Sequence, residues 1–117
     1  VQKLIKSGAD LIVTTAGLSV DPDDVTRQGL VDAGCTDLLY GAPILPGAMT
    51  LLSRIGDVQV MGVPACGLFH TTTSFDILLP RLLAGVKITR QDLAALGHGA
   101  LCLNCQTCIY PACSFGK

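Results

Sequence analysis

Residues 10–24 read DLIVTTAGLSVDPDD, and this stretch decides how the chain is read. Asp10 to Thr15 is a short apolar, β-branched run closed by Ala16-Gly17, which predicts a buried strand feeding a loop. LSVDPDD follows as that loop. Asp23 or Asp24 is placed to cap a helix reaching about Ala33, with Val25, Leu30 and Val31 turned inward and Gly34 ending it. Strand, loop and helix in that order form an α/β signature, and the expected fold class is α/β with a mostly parallel sheet.

Working outward, Val1 to Ala9 reads as the last turns of an amphipathic helix, with Val1, Leu4 and Ile5 on its apolar side. Downstream, Asp37 to Gly41 predicts the next strand, and Pro43, Pro46 and Gly47 enforce an irregular loop. Met49 to Ile55 fits a strand or a helix and reads better as a strand, and Val58 to Val63 is the clearest strand in the chain. Pro64 to Gly67 is the turn after it. A helix is expected from Leu68 to about Leu83, with Phe75, Leu78, Leu79 and Leu82 also at helical spacing. Pro80 lies inside that pattern and predicts a kink or break near residue 79. Thr89 with Asp92 three residues on resembles a capping box, so Arg90 to Leu96 is expected as a short helix stopping at Gly97. The expected organisation is an α/β domain over residues 1–97 and a cysteine-rich tail over 98–117.

Composition removes several function classes. A chain of 117 residues fits one domain. Mean hydropathy is positive, yet Asp, Gly or Pro interrupts every apolar run well before the roughly 18 residues a membrane span needs. Eight basic against nine acidic residues leave a formal charge of −1, so no polybasic arm points to nucleic acid or anionic lipid. Aromatics make up 4%, too few for a base-stacking platform, so the core must be aliphatic. The first residue is Val1 rather than Met, which reads as an excised fragment, and no basic stretch followed by an apolar one argues for secretion. A cytoplasmic protein is expected.

In a parallel sheet, ligands sit beyond the carboxyl ends of strands, where loops lead into helix N-termini. Thr14, Thr15, Gly17 and Ser19 fall at such a place, where small hydroxyl residues and glycine let a backbone approach a phosphate or a pterin ring. Asp21, Asp23 and Asp24 would supply hard oxygen ligands for Mg²⁺. The competing reading is that these aspartates only cap the following helix and complement its dipole.

DLIVTTAGLSVDPDD, the PG of ILPGAM, the GVPACG turn and the helix carrying Phe75, Leu79-Pro80 and Leu82-Leu83 occur in an order that resembles the molybdopterin-binding domain of the molybdenum-cofactor biosynthesis family. The resemblance covers residues 1 to about 86 and corresponds to the second half of that domain. It implies a three-layer α/β/α fold whose first strand, helix and second strand precede Val1, and a chain that associates with copies of itself. In the family the first loop reads TTGG, a small residue, Ser, and a catalytic Asp that handles Mg²⁺ and the pterin-nucleotide phosphates. Thr14, Thr15, Gly17, Ser19 and Asp24 fall on those positions. The implied ligand is molybdopterin or its adenylated form, with a molybdoenzyme as recipient. The implied site comprises the loop from Thr14 through Asp21 to Asp24, the Pro46-Gly47 loop, and the turn carrying Pro64, Cys66 and Gly67. If the chain is an enzyme, the implied chemistry is nucleotidyl transfer or molybdate insertion, with Asp24 holding Mg²⁺. The chain departs from the family pattern at Ala16, Asp21, Ala48 and in the VPACG turn, which weighs toward binding over catalysis.

The six cysteines are unevenly spread. Cys35 and Cys66 stand alone, whereas Cys102, Cys105, Cys108 and Cys113 form a C-x2-C-x2-C-x4-C run, which reads as metal ligation. Thiolates suit a tetrahedral zinc site or a [4Fe–4S] cluster, and the spacing leaves both open beside a third reading of free thiols or disulfides. Tyr110 and Phe115 are expected to cover the centre. His98, between two glycines, reads as a solvent-facing loop residue more than a fifth ligand. Cys35 reads as packing, Cys66 as either a small buried hydrophobe or a thiol touching the ligand, and His70, with Thr71, Thr72 and Thr73, as a helix-surface group more than a ligand contact. An iron–sulfur electron-transfer or regulatory module on an α/β scaffold, and a zinc tail used in oligomer assembly, are the alternative functions.

Overall fold

The structure is a computed structural model that describes residues 1–15, 17–18 and 24–117. Ser19 and Asp21 of the expected site, and Asp23 as a cap candidate, lie outside the described residues. The chain divides into two compact units, Val1–Tyr40 with Met49–Ala65, and Gly41–Ala48 with Cys66–Lys117. Among the described residues no helix is long and apolar enough to cross a membrane.

The first unit is built on one four-stranded sheet. Its strands are β1 (Leu11–Thr15), β2 (Thr36–Tyr40), β3 (Leu51–Ile55) and β4 (Val58–Val63), in the spatial order β1-β4-β3-β2. The fold class is α/β as expected, but the sheet is mixed rather than mostly parallel. Only β1 runs parallel to β4, while β3 is antiparallel to both β4 and β2. The physical reason is local: Gly56 and Asp57 alone separate β3 from β4, with Ile55 paired to Val58. A parallel partner needs a crossover of about a dozen residues, so this link admits only a hairpin, and Gly56 supplies the positive φ of 58° that the tight turn uses.

Two helices accompany the sheet, α1 (Gln2–Lys6) and α2 (Thr26–Asp32). The capping expected of Asp24 does not occur: α2 starts after Val25 with no side-chain cap. Of the three residues expected to face inward, Leu30 is 2% exposed, whereas Val25 is 71% and Val31 50% exposed. Seven residues make two turns, and successive residues on a helix point about 100° apart, so a helix this short buries one narrow stripe. The core gathers Ile12, Leu18, Leu30, Leu51 and Val60, and Cys35 packs against it. β1 is an edge strand rather than a fully buried one, with Ile12 inside and Val13 42% exposed.

The second unit holds α3 (Ser74–Leu83), α4 (Arg90–Ala95) and a 3-10 turn over Leu96–Gly99. Helix α3 does not begin at Leu68. Residues Ala65–Leu68 form a separate 3-10 turn, and Leu68 and Phe69 are exposed. The start is set by a capping box at Thr73: its side chain accepts from the Phe75 N–H, and the Asp76 carboxylate accepts from the Thr73 N–H at 2.7 Å. Thr89 and Asp92 form the expected box on α4. The break expected at Pro80 is also absent, since α3 runs through it. Proline lacks the N–H that would bond the carbonyl four residues back, and that carbonyl, of Asp76, instead accepts from the Tyr110 hydroxyl at 3.3 Å. The cysteine segment thus supplies the donor that α3 lacks.

The Gly41–Ala48 segment seats the start of α3. The Ser74 N–H donates to Pro46 O at 3.1 Å, and the Ser74 hydroxyl donates to Gly47 O at 2.9 Å. Gly47 has φ 114°, and a Cβ there would overlap the Ser74 side chain. Residues 98–117 belong to this same unit. Leu45 bridges Leu101, with Cys102 N–H donating to Leu45 O at 2.8 Å, and Gly116 N–H donates to Gly99 O at 2.8 Å.

Candidate functional site

Thr14 and Thr15 end β1, opposite Gly62 and Val63 of β4. The chain then passes Gly17, whose φ is 73° and where a Cβ would overlap the Thr26 side chain at the start of α2. Only glycine fits both the backbone and the space. Leu18 follows into the core, 4% exposed, lying against the backbone of Gly62, where a Cβ would collide with it. The Leu18 carbonyl accepts from the Tyr40 hydroxyl at 2.6 Å. These contacts place Gly17 and Leu18.

Among the described residues, Thr14 Oγ1 and Asp24 Oδ2 are buried side-chain oxygens without a hydrogen-bond partner. They stand at the entry and exit of this loop. An unpaired buried hydroxyl costs about 1–3 kcal/mol, and a carboxylate oxygen more. Proteins retain such groups where a ligand, ion or water completes them. Asp24 Oδ2 is a hard acceptor suited to Mg²⁺ or to a ligand N–H or O–H, and Thr14 Oγ1 can donate or accept.

The other expected pterin contacts are placed differently. Pro46 and Gly47 are buried and engaged with Ser74, so their visible role is to seat α3. Pro64 is buried after β4, and Cys66 and Gly67 lie in the Ala65–Leu68 turn, Cys66 half-buried and Gly67 exposed. His98 is exposed in the turn after α4.

In the second unit, Cys102, Cys105, Cys108 and Cys113 line one pocket of about 570 Å³, its open mouth included. All four thiols are free. His70 and Thr72, in the segment before α3, complete one wall, and Tyr110 and Phe115 contribute to the lining. The Thr72 hydroxyl and the Cys108 thiol share a hydrogen bond at 3.2 Å. Cys108 is held below the usual thiol range, first by that hydroxyl and second by the Tyr110 backbone N–H, against desolvation and the Asp76 charge. Burial pushes the Tyr110 phenol up, with the negative charges of Asp76 and Cys113 adding to it. Among the described residues, no group of three or more His, Cys, Asp or Glu side chains is placed to hold a metal ion.

Sequence reasoning missed the Thr72–Cys108 bond and the Tyr110–Asp76 link. The second had a signal: a proline inside α3 leaves the carbonyl of residue 76 in need of a donor. No family model matches the chain, and no curated protein matches it.

Proposed function

We propose that this chain binds molybdopterin or its nucleotide form through the loop from Thr14 to Asp24, in the biosynthesis or delivery of the molybdenum cofactor. The observation that carries the reading is the pair of buried, unpartnered oxygens, Thr14 Oγ1 and Asp24 Oδ2, flanking a glycine that admits no side chain. The resemblance of the loop to the molybdopterin-binding pattern names the ligand class. Asp24 would hold Mg²⁺, which would screen the ligand's phosphate charge, while Thr14 would bond a polar edge of the ligand. Binding is the proposed activity.

The test is equilibrium binding of molybdopterin, kept free of oxygen, with and without Mg²⁺. Thr14→Val and Asp24→Asn should each weaken binding at least about tenfold, the equivalent of losing one hydrogen bond to a charged group. Loss of the Mg²⁺ effect in Asp24→Asn would locate the ion. Affinity unchanged in both variants, or no binding by the unaltered chain, would overturn the proposal.

A further inference from the structure

We infer that Cys108 is a nucleophilic thiol that exchanges with a low-molecular-weight disulfide and takes on one of its halves as a mixed disulfide. The four free thiols of the cysteine pocket differ in how they are presented. Cys102 and Cys113 are half-buried, whereas Cys105 and Cys108 are exposed. Among the described residues, Cys108 is the exposed cysteine whose sulfur meets a hydroxyl, that of Thr72 at 3.2 Å. Thr72 is 5% exposed, so the protein holds the hydroxyl in place while the sulfur stays open to solvent. The Tyr110 backbone N–H bonds the same sulfur, and the Tyr110 side chain is anchored on the Asp76 carbonyl.

That arrangement fits attack of one sulfur on another. A hydroxyl accepts from an S–H and donates to a thiolate, so Thr72 serves the cysteine before and after it loses its proton. The backbone N–H only donates, and a donor bonds an anion more strongly than a neutral group. Cysteines that combine such donors with access are the reactive ones, whereas packed cysteines are inert. Cys35, packed against the core of the first unit, is of the second kind. The walls around Cys108 fit the chemistry of the incoming molecule. Leu101, Leu103 and Ile109 suit the apolar carbon–sulfur–sulfur–carbon stretch of a small disulfide, and Asn104 and Ser114 suit its amide or carboxylate ends.

The step balances without a further reagent. Cys108 gives its proton to solvent, its sulfur attacks one sulfur of the disulfide, and a new sulfur–sulfur bond forms as the old one breaks. The electron pair of the broken bond leaves with the second half, which takes up a proton and departs as a thiol. The Cys108 sulfur is oxidised and the departing sulfur is reduced. This inference rests on the second unit alone, and its failure leaves the Thr14–Asp24 loop untouched.

The experiment is reaction of the fully reduced chain with glutathione disulfide, quenched with acid at intervals, with the modified residue located by peptide mass analysis. The expected result is about one glutathione per chain in the early phase, carried on Cys108 and removed again by a thiol reductant. Cys108→Ser should lower the initial rate at least about tenfold, while Cys105→Ser should leave it within about twofold. Thr72→Val should slow modification of Cys108 about threefold or more, and Thr72→Ser should restore it, which separates a hydrogen-bonding hydroxyl from a merely structural side chain. In denaturant Cys105 and Cys108 should react at similar rates, because the donors are then gone. No modification, modification that reaches Cys105 first in the folded chain, a preference for Cys108 that survives in denaturant, or a rate unchanged by Thr72→Val would overturn the inference.

Discussion

The loop after β1 and the cysteine pocket solve opposite problems with similar residues. Flanking the loop, a threonine hydroxyl and a carboxylate oxygen are buried and, among the described residues, without partners, while Leu18 is held by the Tyr40 hydroxyl. In the pocket, a threonine hydroxyl is equally buried but already bonded to a thiol, and the thiols are exposed or half-buried. The cost of the unmet hydrogen bonds at the first falls on the stability of the free protein. In the second, the hydroxyl and the thiol meet each other's hydrogen-bonding need, so that cost does not arise.

The largest effect should come from Gly47→Ala. A Cβ there meets the Ser74 side chain and backbone at a φ of 114°, so strain and overlap together should cost about 3 kcal/mol or more in denaturant unfolding. Unchanged stability with lost pterin binding would return the Pro46-Gly47 segment to the ligand site. The sharpest comparison is one substitution made in both regions. Thr14→Val should stabilise the free chain by about 1 kcal/mol, because it removes an unsatisfied buried hydroxyl. Thr72→Val should destabilise it by about 1 kcal/mol, because it removes a made hydrogen bond. Equal signs in thermal unfolding would erase the distinction drawn between the two sites.

Tyr110→Phe should cost about 1 kcal/mol by leaving the Asp76 carbonyl without its donor. In a Pro80→Ala background the restored N–H competes for that carbonyl, so the same change should cost less, and a double-mutant cycle measures the difference. The smallest effect concerns pH. The Asp92 carboxylate is held below its usual value, first by the Thr89 hydroxyl and second by the Thr89 N–H. Its contribution is therefore present above the unfolded value of about 3.9 and is lost as pH falls through the lower folded value. Asp92→Asn should flatten that part of the stability profile, measured by unfolding between about pH 5 and pH 2.

Much of the fold was legible because its signals are local. The four strands sit where β-branched and apolar runs placed them, and the Thr89–Asp92 box declares α4 within four residues. The antiparallel β3–β4 pair was equally local, written in the two-residue link at Gly56-Asp57, and reading the sheet as mostly parallel overlooked it. The start of α3 was obscured because Leu68 and Phe69 continue an apolar spacing that the capping box at Thr73 overrides. The crowding of four cysteines about one place was plain in the sequence, but the bond from Thr72 to Cys108 was not.

What the sequence determined by itself follows from neighbours along the chain, since capping, hairpin closure and side-chain periodicity act over two to four residues. What only the tertiary structure decided spans longer intervals. Ser74 bonds Gly47 across 27 residues, Tyr110 reaches Asp76 across 34, and Thr72 meets Cys108 across 36. Whether a hydroxyl such as Thr14 or Thr72 ends with a partner or without one depends on which distant group arrives beside it. Burial and pairing are properties of the packed chain, and the threonine is the same residue in both places.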